Sequence, residues 1–289
     1  MTDIAAAAHG DALPIVVVPV GTDDAVLDGC LAALEATTPA RTRVWLADDA
    51  RGGPRVRAVV DAWLATTRMS ADYSRRPRSL GEAAHLADVL RTCGDADVVV
   101  LADDARPAPG WLTRVTRCLH DAPHASTVTP WSNAGETAAW PRLGDVTPLP
   151  DDTSRLADVL AEAALDPAPL PAAVGHAVLI RGSACRKAGG VDATSYASWY
   201  AALIDLCLRL QAFGGSDLLC TQAFVGRLDE GHPADGDLDR VAARWPHWNT
   251  RLAEFLMGDP LREQRERIAE VIAQRAGADA QADLFGVAP

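Results

Sequence analysis

Positive charge is scarce in this sequence of 289 residues, where 27 Lys and Arg face 39 Asp and Glu and the formal net charge is -12. Lys187 is the only lysine. A protein that binds the phosphate backbone of DNA or RNA needs a basic surface, so this balance argues against a nucleic acid as partner. The arginines remain suited to single phosphate groups, because the planar guanidinium matches their oxygens.

Metal-binding cysteine pairs and long apolar runs are also missing. The six cysteines include no CxxC spacing, and several stand among apolar residues, as Cys207 does. This pattern favours buried thiols in a reducing cytoplasm over disulfides or a zinc site. Residues 1–10 lack the basic start and long apolar core of a signal peptide, and no apolar run is long enough to span a bilayer. The sequence therefore predicts a soluble cytoplasmic protein with a flexible leader over residues 1–12.

Continuous β-branched runs alternate with segments of helical periodicity. Strands are predicted at 14–20, 43–47, 97–101, 173–180 and 218–225. Helices are predicted at 25–36, 54–66, 81–92, 111–120, 153–165 and 200–213, with a turn region at 185–190. The alternation predicts an α/β fold with a mostly parallel sheet flanked by helices, over residues 13–230. A helical extension is predicted at 231–276 and a flexible tail at 277–289.

Two acidic pairs directly follow predicted strands. Asp48 and Asp49 follow the strand at 43–47, and Asp103 and Asp104 follow the strand at 97–101. In open α/β sheets, ligands bind outside the carboxyl ends of the strands. Both pairs are therefore predicted to lie at the ligand-binding edge of the sheet.

The most specific motif runs from Val98 to Leu112 and has the sequence VVVLADDARPAPGWL. It resembles the metal motif and the following Pro-Gly-Trp-Leu helix start of the family 2 glycosyltransferases, which have the GT-A fold. Further segments follow in the same order. The segment 129–136 resembles one found in a bacterial branch of the family, and 174–181 and 188–192 resemble the family's strand and turn beneath the acceptor site. The segments 244–248 and 259–261 resemble the C-terminal helices of that branch. The resemblance covers roughly residues 14–261. It implies a metal-assisted, inverting hexosyl transfer from a nucleotide-diphosphate sugar to a glycan or other cell-envelope acceptor.

The resemblance assigns nucleotide and metal contacts to the acids at the strand ends. Asp48 matches the position that contacts the base or ribose, and a carboxylate that caps the next helix is the alternative. Asp104 matches the last acid of the family's D-x-D motif, and Asp103 is a substitute for the first, where Ala102 stands. Two such acids can hold Mg²⁺ or Mn²⁺ through oxygen ligands and leave room for a diphosphate. A solvated acidic turn is the alternative.

Two other functional positions of the family are changed. Its metal-touching histidine falls at Gly226-Arg227, so His232 is the replacement candidate, and an exposed loop histidine is the alternative.

The family also carries two acids just ahead of an Asp-x-Cys-x-Arg helix, and one of them is the general base. Aligned on Asp205, these positions hold Ala202 and Leu203, which cannot accept a proton. The candidates for a displaced base are Asp205, Glu136 and Glu230.

Two functions follow from these features. The first is an active glycosyltransferase, favoured by the surviving metal-strand motif. The second is a catalytically silent binding or assembly subunit, whose partner would be a paralogous glycosyltransferase or further copies of this chain. Trp131, Trp140 and Trp199 are candidates for stacking on sugar rings or for packing. A nicotinamide- or flavin-binding protein is excluded because the loop 21–24 is not GxGxxG and its acids would repel a pyrophosphate.

Overall fold

The computed structural model describes residues 13–284, and it describes side chains up to residue 277. The predicted leader lies outside the described residues. The strands within them are β1 (Ile15–Val20), β2 (Arg43–Asp48), β3 (Ser70–Arg75), β4 (Val98–Leu101), β5 (Ala105–Pro107), β6 (Ala125–Trp131), β7 (Ala168–Pro169), β8 (Ala177–Ile180) and β9 (Ser216–Arg227). The helices are α1 (Asp24–Thr37), α2 (Pro54–Leu64), α3 (Glu82–Cys93), α4 (Trp111–Asp121), α5 (Thr153–Ala163), α6 (Gly182–Lys187), α7 (Trp199–Ala212), α8 (Asp237–Arg244), α9 (Trp248–Gly258) and α10 (Arg262–Leu284).

The strands form one mixed sheet in the order β3-β2-β1-β4-β8-β6-β9-β5, and β7 pairs with β9. Pairing is parallel along β3-β2-β1-β4 and between β6 and β9, while β8 is antiparallel to both of its neighbours. Most strands, including those on both sides of β8, therefore run in one direction. This confirms the α/β fold with a mostly parallel sheet flanked by helices.

Helices cover both faces of the sheet. Along β1, Val16 and Val18 belong to the core under α1, α2 and α4, while Val17 belongs to the core under α3, α6 and α7. All three valines are fully buried. A strand buried on both faces needs apolar residues at every position, which is why its sequence is continuous rather than alternating.

The strands β3, β5, β6 and β7 and the helix α6 were not predicted from the sequence. The strand β3 is polar and mostly exposed, since it forms the edge of the sheet and contacts only β2. The strand β6 is entirely buried, but its Thr127 bonds Asp217, so a polar sequence is tolerated there. The predicted turn at 185–190 contains the end of helix α6, and the turn itself follows at Gly189 and Gly190, whose φ angles are 84° and 73°.

The C-terminal helices pack into the same cores as the rest of the chain. Val241 and Trp248 join the cluster around α7, while Ile268 and Val271 pack with Trp131 and α5. The helix α10 continues to Leu284, into the segment predicted as a tail. No helix between residues 13 and 284 is both long and apolar enough to cross a bilayer.

Candidate functional site

A cleft of about 140 Å³ lies at the edge of the sheet where the parallel strands end. Pro19 of β1 and Ala102, just beyond β4, line it. Because β8 is antiparallel, Gly175 reaches the same edge from the residues that precede that strand. Glu82 and Trp199 contribute from the first residues of α3 and α7. The topology thus brings residues from distant parts of the chain to the edge where such sheets bind ligands.

Asp103 faces this cleft and lies against the loop between β1 and α1. A Cβ atom on Gly21 would stand 1.9 Å from Asp103 Oδ2, so any side chain at position 21 would displace the Asp103 carboxylate from this loop. Burial and the neighbouring Asp104 raise the pKa of Asp103, against smaller opposing effects that include the charge of Arg51. Asp103 is therefore a partly desolvated carboxylate at the cleft wall.

Asp104 is held in a buried ion pair with Arg227. The strand β5 pairs antiparallel with β9 and places Ala105 opposite Arg227, which brings the preceding carboxylate within reach of the guanidinium. Arg227 donates from Nε and Nη2 to the two oxygens of Asp104 at 3.2 Å each, and the Asp229 backbone N–H adds a bond of 3.0 Å. Both side chains of the pair are 11% exposed. The carboxylate of Asp104 is thus already matched by a cation.

Glu136 lines the same cleft from the 3₁₀ turn Glu136–Ala138. It accepts a hydrogen bond of 2.7 Å from the hydroxyl of Tyr200, in the first turn of α7. Burial raises the pKa of Glu136, although the Tyr200 bond opposes this. Its φ angle is 48°, a left-handed value that costs energy for a residue with a side chain. A carboxylate with a raised pKa in a cleft has the properties of a general base.

No protein-family model matches this sequence, and no curated protein matches it. Solved structures do match. GalNAc-T7 with UDP, GalNAc and Mn²⁺ superposes with a TM-score of 0.62 at 15% identity, over 90% of this chain and 55% of GalNAc-T7. Mannosyltransferase PcManGT from Pyrobaculum calidifontis, in complex with GDP-Man and Mn²⁺, superposes with a TM-score of 0.57 at 16% identity. The match covers 96% of this chain and 80% of PcManGT. TarS 1–349 from S. aureus, in complex with UDP-GlcNAc, superposes with a TM-score of 0.53 at 12% identity. The match covers 84% of this chain and 71% of the TarS chain.

This chain has the GT-A fold. The predicted fold class is therefore confirmed. The chain spans 55% of the length of GalNAc-T7, and the low sequence identities make the likeness one of fold alone. Fold does not determine chemistry, so the function has to be argued from the side chains of the cleft.

The side chains at this GT-A cleft do not fit the metal centre predicted at Asp103, Asp104 and His232. Both oxygens of Asp104 bind Arg227, and His232 is exposed in the loop that follows β9. Among the residues with described side chains, no three His, Cys, Asp or Glu side chains converge as metal ligands. A hard divalent cation needs several oxygen ligands, and Asp103 is the one carboxylate of the two that is not paired with an arginine.

Asp205 lies away from the cleft and is fully buried on α7. Arg209 donates to it at 2.8 Å and Trp245 Nε1 at 2.9 Å, with Arg244 at 3.3 Å and the Tyr196 hydroxyl at 3.4 Å. With its oxygens committed to these donors, Asp205 cannot reach a substrate in the cleft. The interpretation of Asp205 as a catalytic base does not fit this position, and its bonds to Arg209 and Arg244 instead tie α7 to α8.

Glu230 and His232 lie in the loop between β9 and α8. His232 lines the cleft and is exposed. Glu230 does not line it, but its negative charge helps to raise the pKa of Glu136. Of the three predicted bases, Glu136 is therefore the one whose side chain borders the cleft.

The two positions aligned with the family's base are apolar and buried. Ala202 is part of the core under α7, and Leu203 borders a smaller adjoining cavity with Glu136 and Tyr200. Tyr200 precedes Leu203 by three residues and so lies on the same side of the helix. Tyr200 was not singled out from the sequence, and this spacing is the signal that points to it.

Asp48 is buried beneath the cleft edge rather than lining it. Its Oδ1 accepts from the backbone N–H groups of Arg51 and Gly52 at 2.8 and 3.2 Å, and its Oδ2 accepts from the Tyr73 hydroxyl and Arg75, both at 2.8 Å. These contacts order the loop that leads into α2, but Asp48 does not cap that helix, because the N-cap position is Gly53 and α2 has no side-chain cap.

The three tryptophans have different environments. Trp199 lines the cleft, where a Cβ on Gly175 would approach its ring to 3.2 Å. Trp131 is fully buried, and Trp140 packs against the cluster around α5. Trp199 is thus the one of the three that is placed to contact a ligand in this cleft.

Proposed function

We propose that this protein is an inverting glycosyltransferase of the family 2 type, which transfers a sugar from a nucleotide-diphosphate donor to a hydroxyl group of a glycan or other cell-envelope acceptor. The GT-A fold supports the donor class, since the matching structures contain UDP, GDP-Man or UDP-GlcNAc. The observation that carries the proposal is that Glu136, with its raised pKa, shares one cleft with Asp103 and Arg227.

In the proposed reaction, the carboxylate of Glu136 accepts the proton of the acceptor hydroxyl as its oxygen attacks the anomeric carbon. The bond from that carbon to the diphosphate breaks on the opposite face, which inverts the configuration. A positioned base contributes about a hundredfold to ten-thousandfold to such a step. The hydrogen bond from Tyr200 orients the carboxylate.

The departing diphosphate gains negative charge as it leaves. Arg227 at the cleft and Arg51 near Asp103 are the cations placed to meet that charge. Preorganised cations in a partly dry site stabilise developing charge more strongly than water does. We assign the diphosphate to the space between the loop after β1 and the end of β9.

The alternative, a silent binding or assembly subunit, is favoured by one specific observation. Ala202 and Leu203 leave the usual base position apolar and buried. In that case the cleft would bind a nucleotide sugar without turning it over, beside a paralogous glycosyltransferase or another copy of this chain.

A donor screen separates these functions. UDP-, GDP- and dTDP-sugars are added to the protein. Thermal unfolding is measured with each donor, and release of the nucleoside diphosphate into solution is measured in the presence of glycan acceptors. An enzyme is expected to show a raised Tm with at least one donor and release with that donor. A raised Tm without release of the nucleoside diphosphate from any donor would identify the silent subunit. No change in Tm with any donor would contradict the proposal that the protein binds nucleotide-diphosphate sugars.

Tyr200→Phe tests the orientation of the base. The lost hydrogen bond is expected to lower kcat about tenfold near neutral pH, since a bond to a charged group contributes roughly 1.5 kcal/mol or more. The Tyr200 bond lowers the pKa of Glu136, so its removal should raise that pKa further. Because the base must be ionised, the acid limb of the kcat–pH profile should move to higher pH. An unchanged kcat–pH profile would show that Tyr200 does not act on the general base.

A further inference from the structure

Arg227 stands where the resemblance places a metal-touching side chain, and it already neutralises the carboxylate of Asp104. We propose that the guanidinium of Arg227 replaces the divalent cation in this protein, so that a nucleoside diphosphate binds without metal. This inference rests on the proposed function, because it concerns the same donor.

The geometry leaves one side of the guanidinium for a ligand. Nε and Nη2 are engaged by Asp104, while Nη1 makes no hydrogen bond to any side chain or backbone group of the described residues. A Cβ on Gly231, which lines the cleft, would lie 3.4 Å from Nη1. Nη1 is therefore at the cleft wall, where a phosphate oxygen can accept from it. Arginine is suited to this role because its fork can bind a carboxylate and a phosphate at once.

The burial of the pair opposes its replacement by a metal. For a cation to bind Asp104, it would have to displace a guanidinium that is 11% exposed and leave it without its carboxylate partner. Separating a buried ion pair in this way is strongly unfavourable. The pair also fixes the loop after β9, since Asp229 N–H donates to the same carboxylate. The ion pair of Asp104 with Arg227 therefore holds both the acid and the loop after β9 in place at the cleft.

The test is calorimetric titration of the full chain with UDP, with GDP and with dTDP, once in EDTA and once in MnCl₂. For the wild type, the Kd of the nucleotide that binds is expected to agree within about twofold between the two conditions. Arg227→His should raise the Kd in EDTA about tenfold or more, the loss expected for a charge-assisted bond. Mn²⁺ should restore binding to this variant, because Asp104 is released and the imidazole adds a nitrogen ligand beside Asp103.

Arg209→His is the matched control, since Arg209 also forms a buried pair, with Asp205, outside the cleft. It should lower Tm without changing the Kd or its metal response. Wild-type binding that requires Mn²⁺ would overturn the inference and leave the proposed donor class intact. If UDP, GDP and dTDP all fail to bind in both conditions, the inference and the proposed donor class are both overturned. The wild-type comparison decides the matter even if Arg227→His does not fold.

Discussion

Glu136→Gln is expected to lower kcat by about a hundredfold to ten-thousandfold, with the KM for the donor close to that of the wild type. Glutamine is nearly isosteric and can still accept the bond from Tyr200, but it cannot take a proton from the acceptor. The wild-type kcat should fall as pH drops through the raised pKa of Glu136, because only the ionised carboxylate acts as a base. Steady-state kinetics from pH 5 to 9 measure both effects.

Glu230→Gln is the control for this variant. It removes a nearby carboxylate of the same type, outside the residues that line the cleft, and should change kcat by less than about threefold. Its negative charge helps to raise the pKa of Glu136, so the acid limb should move slightly to lower pH. A large loss in Glu230→Gln, with little loss in Glu136→Gln, would place the base on the loop after β9.

Asp205→Ala is expected to lower the free energy of unfolding by about 3–5 kcal/mol, the cost of removing one partner of a buried ion pair. The variant would leave the Nε–H of Arg209 and the indole N–H of Trp245 without an acceptor, although Arg209 would keep its bonds to the Ala188 and Gly190 carbonyls. It would also leave the guanidinium, which is 14% exposed, without its carboxylate. The measurement is urea denaturation, together with kcat at a temperature where the variant stays folded. The turnover of the folded fraction should match the wild type.

Asp145→Ala provides the comparison for a surface pair. Asp145 pairs with Arg142, and the two side chains are 43% and 76% exposed. Loss of this surface pair should lower the free energy of unfolding by less than about 1 kcal/mol. If Asp205→Ala kept full stability but lost turnover, Asp205 would be the base after all.

The main strands and the ligand edge were predictable because each depends on a local pattern. The buried strands β1 and β4 have apolar, mostly β-branched sequences, and the acids at the ends of β2 and β4 mark the carboxyl edge. The edge strand β3 has neither long apolar runs nor full burial, so its sequence gives a weak signal.

The ion pair of Asp104 with Arg227 could not be predicted, because it joins residues 123 positions apart. It depends on the antiparallel register of β5 on β9, which no local pattern encodes. The role of Asp205 had an available signal. Arg209 follows it by four residues, a spacing that favours an ion pair along the helix over a free carboxylate.

The most direct test of the account is a crystal structure of the protein with the nucleotide sugar that the donor screen selects. Either the wild type without acceptor or the Glu136→Gln variant is crystallised, so that the donor stays intact. The account predicts the diphosphate beside Nη1 of Arg227 and the anomeric carbon facing Glu136, with room between them for one acceptor hydroxyl. A donor bound with its anomeric carbon turned away from Glu136, or bound outside this cleft, would contradict it.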